Sequence, residues 1–161
     1  GAEVLYKAVI DYVGDTEGRF LYDLYSGTGT IAQLLSKHAK MVHAIEIVEE
    51  AVEAAKENAK LNDIDNCIFM CGDVLKLVDE LAGKVDIIVL DPPRDGIHPK
   101  ALPKIIDFGA KSIVYVSCKP SSLARDLRLL QDRGYRMKKA LGVDMFPNTP
   151  GVEVVALLEK D

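Results

Sequence analysis

The sequence predicts an α/β protein, doubly wound around a mostly parallel sheet of seven strands. Three observations carry that expectation. Short apolar runs alternate five times with helical patterns between residues 19 and 133, the rhythm of consecutive βα units. Val85 to Leu90 is apolar throughout, as a strand covered on both faces must be. Finally, the conspicuous polar residues fall where those runs end, which is where open α/β sheets bind ligands.

Taken in order, residues 2–13 read as a helix with Val4, Leu5, Ala8, Val9 and Tyr12 on one face, closed by Gly14-Asp15. A strand at about 19–25 and a helix at about 30–39 follow. Met41 to Ile45 is a second strand ending at Glu46, and Val48 to Leu61 is an alanine-rich helix closed by Asn62-Asp63. Cys67 to Cys71 is a third strand ending in Gly72-Asp73, with a short helix at about 74–82. The fourth strand, Val85 to Leu90, ends at Asp91-Pro92-Pro93 and leads to a helix over Pro99 to Phe108. Ser112 to Val116 is the fifth, ending at Ser117-Cys118, before a helix from Ser121 to Arg133. Two last strands, about 135–143 and 152–158, have no helix between them, so one is expected to run antiparallel at the sheet edge.

Composition narrows the class. With 161 residues and 48% hydrophobic content the chain reads as one domain, 1–161, and is not disordered. It contains no run of about 18 apolar residues and no signal-peptide pattern. Three cysteines, an odd number, suit reduced thiols in a cytoplasmic monomer that does not engage a membrane. Residues 1–93 hold 8 Lys/Arg against 17 Asp/Glu, a net of −9, whereas residues 94–139 hold 11 against 4, a net of +7. A basic second half is compatible with a phosphate-bearing partner such as RNA, and equally with a solvated surface.

The chemistry centres on Arg19 to Ala32. Strand, Gly27-Thr28-Gly29 and a helix starting near Thr30 make a nucleotide-binding corner, since glycine lets the backbone approach a ligand and helix N–H groups meet polar atoms. The glycine string also fits dinucleotide binding. Asp23 tilts the reading towards S-adenosylmethionine (SAM), because it sets a carboxylate at the strand's end where a cationic amino acid or ribose can be held. Glu46, nineteen residues after Gly27, is placed for ribose hydroxyls. Asp73 suits either the adenine amino group or the N-cap of the next helix. Asp91-Pro92-Pro93 makes a rigid loop at the crevice mouth. Cys118 precedes Pro120 and a helix start, with Lys119 adjacent, surroundings that favour a nucleophilic thiolate. Cys67 and Cys71 are expected buried and inert within their strand, and no metal site is expected, because His38, His43 and His98 form no ligand pattern.

Asp23-Leu-Tyr-Ser-Gly-Thr-Gly-Thr30, Asp91-Pro-Pro-Arg94, Ile113-Val-Tyr-Val-Ser-Cys-Lys-Pro120 and Asp144-Met-Phe-Pro147 followed by Val152-Glu153 together resemble the RNA 5-methyluridine methyltransferases, SAM-dependent uracil-C5 enzymes of ribosomal and transfer RNA. The likeness runs from about residue 2 to 159. It implies a Rossmann-like methyltransferase sheet, SAM as methyl donor with S-adenosylhomocysteine (SAH) as product, and rRNA or tRNA as partner. It also implies Cys118 as the nucleophile at uracil C6 and Glu153 as the base that removes the C5 proton. Asp23, Tyr25, Gly27, Gly29, Thr30, Glu46, Asp73 and Asp91 then fall on cofactor positions, and Pro92, Arg94 and Phe146 on the substrate side. Lys119 stands where the family usually has Asn or Asp, and Asn148 and Pro150-Gly151 where it usually has histidines. Longer members carry RNA-binding and central domains ahead of this region, so the chain is expected to be the catalytic domain. Other readings remain open: an amino-directed or cytosine-C5 nucleic-acid methyltransferase, a SAM-binding module without activity, or, on the glycine string alone, a nicotinamide dehydrogenase. An amino-directed enzyme would want an aromatic residue where Arg94 stands, and a cytosine-C5 enzyme a second cysteine near Pro92-Pro93.

Overall fold

A computed structural model describes residues 1–81, 83–147 and 151–161. Its seven strands are β1 (Phe20–Leu24), β2 (Met41–Glu46), β3 (Cys67–Cys71), β4 (Ile87–Leu90), β5 (Ser112–Ser117), β6 (Tyr135–Asp144) and β7 (Val152–Lys160). Its helices are α1 (Ala2–Val13), α2 (Thr30–Leu35), α3 (Glu49–Leu61), α4 (Val74–Leu77), α5 (Ala101–Asp107) and α6 (Pro120–Asp132), with a 3-10 turn at Val78–Glu80. The strands lie in the order β3-β2-β1-β4-β5-β7-β6. The first five are parallel, while β7 lies between β5 and the edge strand β6, antiparallel to both. The order reverses between β1 and β4, and the crevice above such a switch is where doubly wound sheets bind ligands.

Strand alternation divides the core into two layers. Tyr22, Leu24, Ile88, Leu90, Ile113 and Tyr115 pack under α4, α5 and α6, against Val74, Leu102, Ile105, Leu123 and Leu130. Leu21, Val42, Ile87, Val89, Val114 and Val116 face α1 and α2, against Leu5, Val9, Ile31 and Leu35. Asp23, one residue beyond Tyr22, therefore points into the second layer, beneath the glycine turn.

Several elements are shorter than their sequence patterns, α4 and α5 as well as α2 and β4. α2 stops at Leu35 because Asn66 takes up the carbonyls that follow, donating to Ser36 O at 2.8 Å and Ala39 O at 3.0 Å. β4 starts at Ile87, and Asp86 just ahead of it accepts from Phe20 N at 2.9 Å through its Oδ2. Cys67 and Cys71 differ from expectation as well. Cys67 is half-buried and Cys71 exposed, since β3 is an edge strand and Cys71 its last residue. His43 stacks edge-on against Tyr22 and His38 lies 3.6 Å from Glu17, both structural placements.

Candidate active site

β1 hands over to α2 through a left-handed turn: Tyr25, Gly27 and Gly29 have φ of 67°, 58° and 80°. At Gly29 a Cβ would lie 2.8 Å from the Phe69 ring and 2.9 Å from the Ala55 methyl, so a side chain there would push α2 off β3 and α3. Glu46, at the end of β2, braces this turn from below. Its Oε1 accepts from Gly27 N at 2.8 Å and its Oε2 from Val48 N at 3.0 Å. Each carboxylate oxygen keeps a further lone pair for a ligand.

Beside the turn opens a cavity of about 340 Å³ lined by Tyr25, Glu46, Ile47, Gly72, Asp73, Val74, Asp91, Pro92 and Pro93. Contributions come from the ends of β1, β2, β3 and β4, whereas Cys118, at the fifth strand end that the sequence pattern pointed at the same crevice, is not among the lining residues. Asp73 turns out to cap α4, its Oδ1 accepting from Leu75 N at 3.0 Å, while its residue also walls the cavity. Thr30 and Phe146 lie elsewhere. Thr30 lines a separate groove with Asn58 of α3 and Asn62 just after it, and Phe146 is 68% exposed just past the end of β6. Pro92 is buried, Arg94 is exposed, and Asn148 and Pro150 lie outside the described residues.

Electrostatically the crevice is an acid cluster whose lining, among the described residues, holds no Lys or Arg. Asp23 is 1% exposed, and burial first, then the neighbouring Asp91 and Glu46 carboxylates, push its carboxyl up to about 8 despite a hydrogen bond from the Ala32 backbone. Burial, Glu153 and Glu46 push Asp91 up to about 7. Burial raises Glu153 too. Asp23 Oδ2 and Glu153 Oε2 are buried with no hydrogen-bond partner among the described residues. No ion pair among those residues involves any of the four acids. Such a concentration of negative charge costs stability unless a cationic, hydrogen-bond-donating ligand completes it.

The antiparallel pairing explains how two distant motifs meet. In the β5–β7 ladder Ser117 is paired with Val154, and in the β6–β7 ladder Val143 is paired with Glu153. The first ladder ends at Ser117 and Val154, so Cys118 and Glu153 each lie one residue beyond its last pair. Cys118 is exposed, directly ahead of α6, whose N-cap is Lys119. The Lys119 ammonium stands 3.9 Å from Asp95 in the loop after β4.

The family described as tRNA (uracil-5-)-methyltransferase matches residues 2–161. The chain belongs to that family. Among curated relatives, an uncharacterized RNA methyltransferase of Clostridium tetani is 52% identical over 100% of this chain and 36% of its own length. Another, of Clostridium acetobutylicum, is 53% identical over 99% of the chain and 35% of its own length. The chain thus spans about a third of these relatives. The tRNA (uracil-54, C5)-methyltransferase of Pyrococcus abyssi, solved with S-adenosyl-L-homocysteine, superposes with a TM-score of 0.82 at 35% identity, over 98% of this chain and 38% of that one. At 12% identity, the precorrin-6y C5,15-methyltransferase of Geobacter metallireducens shares the fold alone, with a TM-score of 0.80 over 98% of this chain and 88% of that one.

One buried carboxylate outside these motifs ties the loop after β4 to β5. Asp126, in the middle of α6, is 2% exposed and receives donors from both β5 and the loop after β4. A signal for it existed: Ser122, Leu123, Asp126 and Leu130 share the buried stripe of α6, so a carboxylate sits on a helix face that should be apolar.

Proposed function

We propose that this chain is the catalytic unit of a SAM-dependent enzyme that methylates C5 of a uridine in ribosomal or transfer RNA. The observation that carries the reading is the acidic crevice, whose carboxylates have no ion-pair partner among the described residues, next to the β5–β7 ladder that ends one residue short of Cys118 and Glu153. The donor set fits SAM. Asp23 and Asp91 suit its ammonium and sulfonium, Glu46 its ribose, and Asp73 with Ile47 its adenine, around the turn of Tyr25, Gly27 and Gly29, with Thr30 opening the helix behind it.

SAM, when bound, supplies a methyl group on an electrophilic sulfonium. The chain supplies the rest. Uracil C5 is a weak nucleophile, and addition of the Cys118 thiolate to C6 forms an S–C6 bond and moves the ring's electron pair onto C5 and the O4 enolate. Once C5 carries the methyl, Glu153 takes the C5 proton. The C–H electron pair then restores the C5–C6 double bond and expels the Cys118 thiolate. Burial beside Asp91 raises the basicity of Glu153, bringing it closer to what a base working near neutral pH needs.

On the substrate side, Pro92 stiffens the wall, Arg94 offers an exposed guanidinium and Phe146 an exposed ring for stacking on an unpaired base. The net charge of +7 over residues 94–139 suits an RNA backbone. The target uridine must leave its stack to reach Cys118. The test is calorimetry with SAM, SAH and NAD, followed by nucleoside analysis of RNA treated with the protein. The reading expects SAM and SAH to bind, NAD not to, and 5-methyluridine to form. Preference for NAD, or methyl found on cytosine or an exocyclic amine, would contradict it.

A further inference from the structure

The wall of the crevice that carries Asp91 is fastened to α6 by its backbone. Ser122 Oγ donates to Arg94 O at 2.8 Å, Arg125 Nη2 to Asp95 O at 2.6 Å, and Asp126 Oδ2 accepts from Ile97 N at 3.0 Å. One turn of one helix thereby holds three of four successive loop residues through main-chain atoms, leaving the Arg94 side chain free. The fourth, Gly96, has φ of 84°, and a Cβ there would stand 2.9 Å from the same Asp126 oxygen.

Asp126 differs from its two helpers because it reaches a third element. Its Oδ2 also accepts from Tyr115 Oη at 2.6 Å, and Tyr115 lies in β5, three residues before Cys118. Arg125 Nε and Nη2 stand 3.4 Å from Oδ1, so the charge is not left unpaired. β5, the start of α6 and the loop after β4 thus meet at one carboxylate. A buried charge is costly unless fully bonded, and such groups are retained where they fix geometry.

We propose that Asp126 is a positioning residue, which by tying residues 94–97 to α6 and β5 fixes the Asp91-Pro92-Pro93 wall of the cofactor cavity relative to Cys118. The proposal rests on the methyltransferase reading for its catalytic meaning, but the anchor itself can be measured without a ligand. Amide hydrogen exchange at Ile97 reads the anchor, and SAH affinity by calorimetry reads the wall.

In D126A both the Ile97 amide and the Tyr115 hydroxyl lose their acceptor. SAH binding should weaken roughly tenfold and Ile97 should lose protection. D126N keeps an acceptor oxygen for both donors, and should hold SAH within about threefold of the parent. Y115F, which removes one donor only, should fall between them and carries the test if D126A does not fold. L130A takes a fully buried side chain from the same helix, away from the loop, and should lower the melting temperature while leaving SAH affinity unchanged.

Equal loss of SAH affinity in L130A and D126A would overturn the proposal, since general loosening of α6 would then suffice. Unchanged protection of Ile97 in D126A would overturn it as well. Failure of the parent to bind SAH would instead overturn the methyltransferase reading, with Ile97 protection still reporting whether the anchor exists.

Discussion

Replacing Asp23 by Asn should reduce how steeply the stability of this protein falls with rising pH. Asp23 is ionised in the unfolded chain above about pH 4 but holds its proton in the fold until about pH 8. The folded state therefore binds more protons across that window, and stability falls as pH rises through it. At about 1.4 kcal/mol per pH unit, Asp23 alone removes about 3 kcal/mol between pH 5 and pH 7. Asp91, raised to about 7 by burial and by Glu153, acts in the same direction. Asn is nearly isosteric, keeps an oxygen for the Ala32 N–H and has no charge to bury. Urea denaturation without ligand at pH 5, 6, 7 and 8 should show the parent losing stability with rising pH and D23N losing about 3 kcal/mol less between pH 5 and 7. A parent that gains stability over this range, or a D23N slope equal to the parent's, would refute the placement of a protonated carboxyl under the glycine turn.

Three other outcomes follow from the same geometry. SAM should gain on SAH as pH rises from 6 to 8, because ionising Asp91 and Asp23 favours a sulfonium over a neutral thioether; a flat affinity ratio by calorimetry would remove the sulfonium from this cluster. Glu46→Ala should weaken SAH binding by about 1–3 kcal/mol, having lost a charged acceptor and the brace on Gly27 N, and unchanged affinity would sink that role. Alkylation followed by peptide mass mapping at neutral pH should modify the exposed Cys71 and Cys118 and spare Cys67, whose thiol burial pushes up to about 11; labelling of Cys67 as fast as Cys118 would contradict its packing.

Much of this site was legible because buried parallel strands announce themselves. Val85 to Leu90 reads as a strand with no structure at hand, and the polar residue that ends it, Asp91, must then face the crevice. Tyr25, Glu46 and Asp73 follow by the same reasoning, and the structure brings all four to one cavity. What stayed hidden depends on pairing between distant segments. The position of β7 between β5 and β6, which brings the ends of the Cys118 and Glu153 segments side by side, is a matter of pairing, and a sequence shows alternation without showing which strand it pairs with. Glu46 read as a ribose ligand from its spacing, yet its first partners are backbone N–H groups of this chain. Asp73 admitted two roles from sequence, and the structure shows the capping bond to Leu75 N. Cys71 misled because its apolar strand pattern gives no sign that β3 is the edge. Asp126 passed unnoticed because a single aspartate inside a helix resembles a solvated one until its neighbours on the buried face are counted together.

The central claim is that Cys118 and Glu153 act at different steps on one uridine. It is tested most directly by incubating C118A and E153Q with RNA and radiolabelled SAM, then resolving protein and RNA under denaturing conditions. C118A should give neither methylated RNA nor an adduct, since nothing raises the nucleophilicity of C5. E153Q should still add its thiolate and accept the methyl on C5, but keep the C5 proton, so the cysteine cannot leave. A labelled RNA–protein adduct should therefore accumulate in E153Q and vanish in the C118A/E153Q double variant, with circular dichroism showing both singles folded. Normal turnover by E153Q, or methyl transfer by C118A, would contradict the account.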